Sequence, residues 1–161
     1  MSTDKNVSAE IPDWSREKVG GFWEVGPKLL RSIRQYQAAK ARGGIWGRVS
    51  AAFWVAVHRF WSIISQCEIH LHMQIGGGLR LPHPQGIILH PDAVIGVNCM
   101  IFQQVTFSGP VVIGGHVDIG AGAKLIAPVT VGDHSKIGAN AVVTKDVLTG
   151  KTVAGVPAKP I

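Results

Sequence analysis

A histidine held between two prolines is the residue of this sequence best placed to do chemistry. His83 lies in Pro82-His83-Pro84. A histidine gains and loses its proton near neutral pH, so an exposed one can act as a general base toward a bound hydroxyl. The other interpretation is that His83 only fills a turn, and which of the two holds depends on the elements around it.

Four of the other six histidines form two pairs. His70 and His72 flank a short strand near Glu68, where we expect them to line a pocket for the molecule that carries the reacting hydroxyl. His116 and His134 are eighteen residues apart, and we interpret them as surface residues stacked on one corner. The two cysteines, Cys67 and Cys99, are too few for a disulfide framework, so we expect small core residues.

A six-residue repeat explains most of the chain after residue 66. Apolar residues recur at every sixth position, with one step of eight between Leu81 and Leu89. The thirteen positions are Ile69, Ile75, Leu81, Leu89, Ile95, Ile101, Phe107, Ile113, Ile119, Leu125, Val131, Ile137 and Val143. Such a period predicts a β-solenoid, with one strand and one turn in each repeat and three repeats in each coil of about eighteen residues. The residues two positions earlier are also apolar or small and should point inward as well, because strand side chains alternate.

Glycine often follows the apolar residue of the repeat, as at Gly96, Gly114 and Gly120. We attribute these glycines to turn conformations that other residues rarely adopt. The step of eight adds two residues around Pro82-His83-Pro84, and we expect this bulge to turn a side chain outward, where a substrate can reach it. From residue 145 the repeat fails, so we expect residues 145–161 to fold over the end of the solenoid.

Residues 1–66 form a different segment. They hold ten Lys and Arg against five Asp and Glu, and all five tryptophans, whereas residues 67–161 hold six against five. Pro27 followed by residues 28–42 predicts one helix, and residues 45–65 predict a second with a broad apolar surface. Arg48, His58 and Arg59 argue against a membrane span. Packing against another helix or subunit, and lying on an anionic membrane surface, are the two interpretations of this segment.

The composition excludes several classes of protein. The chain has 161 residues, 46% of them apolar and 16% charged, which is too apolar for a disordered chain. With 20 glycines it is too glycine-rich for a helical bundle. The net charge of +6 belongs to residues 1–66, so nucleic acid is not the expected partner. Two cysteines and a polar start without a signal peptide lead us to expect a cytoplasmic protein.

Within the repeat, several segments resemble the hexapeptide-repeat acyltransferases, and among them the serine O-acetyltransferase group in a short form. They are Glu68-Ile-His, Gly86-Ile-Ile-Leu, Ala93-Val-Ile-Gly, Gln104-Val-Thr-Phe, Ile119-Gly-Ala-Gly-Ala-Lys124, Ile137-Gly-Ala-Asn-Ala-Val-Val143 and Ala154-Gly-Val-Pro-Ala-Lys159. The resemblance implies a left-handed parallel β-helix of residues 67–161 with a C-terminal cap, behind an N-terminal helical segment of residues 1–66. It also implies acetyl-CoA as co-substrate, no required metal and a homotrimer. We expect the N-terminal helices either to join two trimers or, from their basic and tryptophan-rich composition, to touch a membrane at its inner face.

The resemblance also assigns roles to residues. His83 occupies the place of the catalytic base, and Glu68 that of its carboxylate partner, where the group usually has Asp. The positions that match coenzyme A contacts of the group are Gly109, Ala121, Ala139, Thr144, Lys145 and Lys159. We expect each three-sided solenoid to have the shape of a prism, and the pantetheine arm to run in a groove between the prisms of neighbouring chains. The lysines would lie near the phosphates.

The sequence leaves two classes of acceptor open, a small molecule such as serine and a sugar. Val105-Thr-Phe-Ser-Gly109 runs directly into Pro110-Val-Val-Ile-Gly114, without the Arg-His-Pro loop that helps hold the carboxylate of serine in the group. A neutral sugar hydroxyl needs no such clamp, so O-acetylation of a sugar in exopolysaccharide or capsule synthesis is the alternative to a small-molecule acceptor such as serine. A non-catalytic scaffold and a zinc carbonic anhydrase, which needs three converging histidines, are further alternatives.

Overall fold

Two helices stand before the solenoid, close to where the sequence predicts them. The computed structural model describes residues 7–21 and 23–161. A 3-10 helix spans Trp14–Glu17, which the sequence patterns did not predict. Helix α1 spans Val25–Arg42 and helix α2 spans Gly44–Ser65. The chain leaves α1 at Gly43, whose φ of 66° lies in the region that favours glycine. Within the described ranges, neither helix is long and apolar enough to cross a membrane.

Twelve short strands form the three faces of a prism. In chain order they are β1 Gln74–Ile75, β2 Val94–Ile95, β3 Met100–Ile101, β4 Thr106–Phe107, β5 Val111–Ile113, β6 Asp118–Ile119, β7 Lys124–Leu125, β8 Val129–Val131, β9 Lys136–Ile137, β10 Val142–Val143, β11 Thr152–Ala154 and β12 Lys159–Pro160. The first face has the order β1-β2-β5-β8, the second β4-β7-β10, and the third β3-β6-β9-β11-β12. All pairs are parallel except β11 with β12. The strands therefore form the predicted parallel β-helix with three faces.

The register confirms coils of eighteen residues and shows where they change length. Val94 pairs with Val112, and Thr106 pairs with Lys124, each eighteen residues on. Across the predicted bulge, Gln74 pairs with Val94, twenty residues on. The two additional residues are thus accommodated within one coil, and the coils after it return to the regular spacing.

The interior contains the two sets of positions that the repeat predicts. All thirteen repeat positions and all thirteen positions two residues earlier are buried. The one hydroxyl among them, on Ser135, donates to the carbonyl of Leu148 at 2.9 Å. Cys67 and Cys99 are buried and unpaired, and burial raises the pKa of each thiol to about 12. Both cysteines are therefore uncharged core residues, as predicted.

The C-terminal end differs from the prediction. The six-residue step does fail after Val143, but the chain first continues the solenoid with a coil that is two residues shorter. Thr152 pairs with Lys136, sixteen residues earlier, and Val147 and Val153 are buried. Only then does β12 turn back antiparallel on β11 as a cover. The expectation that all of residues 145–161 fold over the end was wrong for its first part.

Helix α1 covers the other end of the solenoid. Leu29, Leu30 and Ile33 are buried against the first coil. The Arg34 guanidinium donates to the carbonyls of Ile75 and Gly76 at 2.6 and 2.7 Å. These carbonyls lie at the exposed edge of the first face, where no further coil can pair with them. Helix α1 therefore supplies hydrogen-bond donors to the unpaired carbonyls of this edge, and it also buries its own apolar face there.

The glycines that follow the repeat positions have a cause other than the predicted one. A Cβ built on Gly76 would lie 2.6 Å from the carbonyl carbon of Gly96, and one on Gly120 would lie 2.6 Å from the backbone nitrogen of Ala139. Positive φ values occur two residues later instead, as at Gly78 and Asn98. The glycines are needed because adjacent coils approach closely at two corners, after the first face at Gly76 and after the third face at Gly120, so the explanation from turn conformation was wrong.

Adding one methyl group at such a glycine should destabilise the protein. A Cβ on Gly96 meets the backbone of Gly114 and Gly115 in the next coil, which cannot move without displacing the ladder. We expect Gly96→Ala to lower the free energy of unfolding by about 1–3 kcal/mol, the range for overpacking. A thermal melt followed by circular dichroism measures it. Gly21→Ala is the control, since its nearest atom lies 4.0 Å away, and equal melting temperatures for both variants would contradict the explanation.

Candidate active site

The bulge holds His83 at the corner between the third and second faces. Leu81 and Ile87 are buried on either side of it. The amide of Gly86 donates to the carbonyl of Gln66 at 2.8 Å, and the amide of Ile87 donates to that of Pro84 at 3.2 Å. The C-terminal end of the bulge is thus anchored, and the His83 side chain is exposed at its tip. This is the outward orientation that the step of eight predicts.

Glu68 lies on the strand position next to this bulge. Its amide donates to the carbonyl of Ile87 at 2.8 Å, so it begins the second face one coil before Ile88. The carboxylate is exposed, and its Oε1 lies 3.8 Å from Nε2 of His70. Among the described residues, no hydrogen bond joins Glu68 to His83. The structure thus brings Glu68 beside the bulge but pairs it with His70, and its pairing with His83 stays a prediction.

A cavity of about 530 Å³ opens between the end of α2 and the first coil. Glu68, His70 and His72 line it together with Gly86 of the bulge. Nε2 of His72 lies 3.0 Å from the hydroxyl of Tyr36 on α1, and the two rings meet edge to face. The structure therefore gathers both histidines of the predicted acceptor pocket around one cavity next to the bulge.

A second group of predicted residues surrounds a cavity at the far end of the solenoid. Thr144, Lys145 and Lys159 line a space of about 390 Å³. Lys151 lines the same cavity and was missed by the sequence analysis, because it matches none of the positions that the resemblance assigns to coenzyme A. Three ammonium groups around one cavity suit the binding of phosphate groups.

The small residues predicted to contact coenzyme A lie on two different corners. Ala121 and Ala139 stack at the corner that also carries the bulge, where the amide of Asn140 donates to the carbonyl of Ala121 at 2.8 Å. Gly109 lies at the next corner, between β4 and β5, and a Cβ there would lie 2.8 Å from that of Ala127. One prism presents these corners in different directions.

The two stacked histidines meet as predicted. Nδ1 of His116 lies 2.9 Å from Nδ1 of His134, at the corner between the first and third faces. In residues 7–21 and 23–161, no group of three or more His, Cys, Asp or Glu side chains is arranged to hold a metal ion.

His58 of α2 also lines the cavity beside Glu68, and its titration should make stability depend on pH. Its Nδ1 lies 3.0 Å from the hydroxyl of the buried Ser32. Burial lowers the pKa of His58 below its ordinary value. The unfolded chain therefore binds a proton that the folded chain resists, so stability is full above about pH 6.5 and falls as the pH drops below it. We expect the melting temperature to fall less on acidification in His58→Gln than in the wild type. An identical pH dependence in both would contradict this.

Comparison with known proteins relates the solenoid to a family and to enzymes. Residues 110–145 match the family of the bacterial transferase hexapeptide, with six repeats. The serine acetyltransferase of Escherichia coli strain K12 is 35% identical over 138 residues, which cover 81% of this chain and 50% of that enzyme. The serine acetyltransferase of Helicobacter pylori strain J99 is 37% identical over 106 residues, covering 61% and 62% of the two chains.

Solved structures give the same result. Serine acetyltransferase of Brucella abortus strain S19 in complex with coenzyme A superposes with a TM-score of 0.73 at 33% identity, covering 86% of this chain and 56% of that one. Soybean serine acetyltransferase complexed with serine superposes with a TM-score of 0.66 at 30% identity, covering 83% and 57%. The chain spans about half the length of the Escherichia coli enzyme that it matches.

Proposed function

Because this chain is a hexapeptide-repeat protein that resembles the serine acetyltransferases, we propose that it is an acetyl-CoA-dependent O-acetyltransferase. The observation that carries the proposal is the exposed His83 on an anchored bulge, beside a cavity that can take a small acceptor. The proposed acceptor is the hydroxyl of a small molecule such as L-serine, the acid bound in the similar soybean enzyme.

His83 is the general base of the proposed reaction. It takes the proton of the acceptor hydroxyl as the oxygen attacks the thioester carbonyl of acetyl-CoA. The new C–O bond forms, the C–S bond breaks, and the proton passes from His83 to the departing thiolate. The products are the O-acetyl ester and coenzyme A, so no oxidant, reductant or metal is required.

Glu68 is the proposed positioning residue for this base. Glu68 lies next to the bulge, and its backbone amide donates to the carbonyl of Ile87, which fixes the position of the residue. A charge on this side of the bulge favours the imidazolium form of His83 that arises during the reaction. The contact with His70 at 3.8 Å is long, so the carboxylate can turn toward His83 when an acceptor fills the cavity.

The coenzyme A groove is proposed to lie between two chains. Ala121 and Ala139 lie on one corner, whereas Gly109 and Thr144 lie on the next. Residues on two corners of a prism line one narrow groove when two prisms stand side by side, each contributing one corner. This supports a homotrimer, in which three such grooves form. The pantetheine arm runs along the small residues, and Lys145 and Lys159 meet the phosphates at the end of the solenoid.

An acceptor screen tests the proposal. Purified protein is incubated with acetyl-CoA and, separately, with L-serine, a nucleotide sugar and a lipid-linked sugar, and products are identified by mass spectrometry. We expect acetylation of L-serine. If only a sugar were acetylated, the proposal of serine as acceptor would be wrong and the acceptor would be a saccharide. The structure keeps that alternative open because Gly109 leads directly into β5 without a loop, although the comparisons favour serine.

A scaffold without activity makes a different prediction. Ligand binding to the folded state raises the melting temperature in proportion to the logarithm of its concentration. We expect acetyl-CoA to raise the melting temperature of this protein. No shift at any acetyl-CoA concentration, together with no product in the screen, would favour the scaffold.

A further inference from the structure

Helix α2 carries an apolar face that the rest of the described chain leaves uncovered. Its buried side, at Gly47, Ala51 and Ser65, packs toward α1 and the first coil. On the opposite side, six large apolar side chains are each at least 56% exposed. They are Ile45, Trp46, Val49, Phe53, Phe60 and Ile63. At 3.6 residues per turn these six fall within an arc of about 100° that contains no polar residue.

The charge around this face has one sign. From residue 25 to residue 66 the sequence holds seven Lys and Arg and no Asp or Glu. Arg48 and Arg59 are exposed and lie along one edge of the apolar arc. Arg34 is compensated by Glu17, with 2.8 Å between Nη2 and Oε1. A wide apolar stripe with aromatic residues, bordered by arginines, is the pattern of a helix that lies in the headgroup region of a bilayer.

We propose that α2 binds a membrane surface containing anionic lipids, with this face inserted and Arg48 and Arg59 against the headgroup phosphates. Charge complementarity favours this occupant over a second copy of the chain. A symmetric contact between two α2 helices brings two sets of arginines together with no acidic residue on either helix to oppose them. An anionic bilayer offers both the apolar layer and the opposite charge.

The proposed orientation brings the candidate active site to the membrane. Arg59 and Ile63 belong to the border and to the inserted face, and both also line the cavity that contains Glu68 and His70. An α2 helix lying on the bilayer therefore positions the mouth of this cavity beside the headgroups. The proposal concerns binding alone and does not depend on the proposed acetyl transfer.

Vesicle sedimentation tests the proposal with the full chain. The protein is mixed with vesicles of phosphatidylcholine alone or of phosphatidylcholine with phosphatidylglycerol, and the bound fraction is measured. We expect binding to the mixed vesicles, weakened by added salt. Ile63→Ser should lower the apparent affinity about tenfold, because it removes one inserted aliphatic side chain.

A matched control separates this face from exposed apolar residues in general. Ile11 is 72% exposed and Ile63 is 70% exposed, so Ile11→Ser is the same change at the same exposure, and we expect it to bind as the wild type does. Arg48→Gln with Arg59→Gln supplies a second test that leaves the apolar residues intact. It should lower the affinity for the mixed vesicles about tenfold or more, because each basic residue near an anionic surface contributes about 1 kcal/mol to binding.

Two results would overturn the proposal. The first is no binding to the mixed vesicles, and the second is equal binding by the wild type, Ile63→Ser and the double arginine variant. If the first result is accompanied by a fall in the molar mass of the assembly by light scattering in Ile63→Ser, the face is assigned to a second copy of the chain.

Discussion

His83→Ala is expected to lower kcat for acetyl transfer by roughly 100- to 10,000-fold, the contribution of a positioned general base. The side chain is exposed on a bulge held by the backbone bonds of Gly86 and Ile87, so its removal should leave the fold intact. The acceptor hydroxyl would then lose its proton only to water. The rate of free thiol release from acetyl-CoA in the presence of acceptor measures the effect.

A histidine on another corner is the control for this variant. His134 is exposed, and its contact is with His116, away from the bulge. We expect His134→Ala to keep the wild-type kcat. If His83→Ala turned over at the wild-type rate while melting at the same temperature, His83 would have no part in the mechanism and would be a turn residue.

Replacing Lys145 and Lys159 together by alanine should raise KM for acetyl-CoA about 100-fold. Both line the cavity at the end of the solenoid, and each is proposed to bond to a phosphate group of the nucleotide. A hydrogen bond to a charged group contributes about 1.5–3 kcal/mol, so the loss of each lysine should raise KM for acetyl-CoA about tenfold or more. The change should fall mainly on KM because these groups lie far from the thioester.

A truncated substrate shows whether the lysines act on the phosphates. S-acetylpantetheine lacks the nucleotide, so its KM should be the same for the wild type and the double variant. Lys136→Ala is the control, since Lys136 lies on the third face, 3.7 Å from Asp118. An equal rise in KM for acetyl-CoA and for S-acetylpantetheine would contradict the proposed contact and point to a change in the fold.

The core of the solenoid could be predicted from the sequence because one rule repeats. Each coil buries its inward residues against the coil before it, so an apolar residue is required at every sixth position. The same rule locates the exception at His83, since two additional residues cannot be absorbed without a bulge. The helices were predictable from a different signal, because Pro27 lies in the first turn of α1 and Gly43 follows its last residue.

Features that depend on contacts between coils could not be predicted from one coil. Gly96 and Gly114 recur at the same position of successive coils because backbones that are distant in sequence approach closely there. The short last coil was missed because its two-residue deletion ends the repeat in the sequence although pairing continues. The 3-10 helix at Trp14–Glu17 has no periodicity, and Glu17 is fixed by the amide of Gly78 at 2.8 Å.

The candidate site was predicted in part. The sequence indicated His83, and the structure exposes it. The contact of Glu68 with His70 depends on side-chain directions that spacing alone does not determine. The division of Ala121 and Gly109 between two corners follows from the three-sided coil, and it supports the groove between chains that the resemblance implies.

The most direct test of acetyl transfer is the product itself. Purified protein is mixed with acetyl-CoA and L-serine, the reaction is stopped with acid, and coenzyme A and acetylated serine are quantified together by mass spectrometry. We predict one O-acetylserine for each coenzyme A released, and no release without acceptor. Release of coenzyme A that does not depend on any hydroxyl acceptor, or an acetyl group found only on the amine, would contradict an O-acetyltransferase.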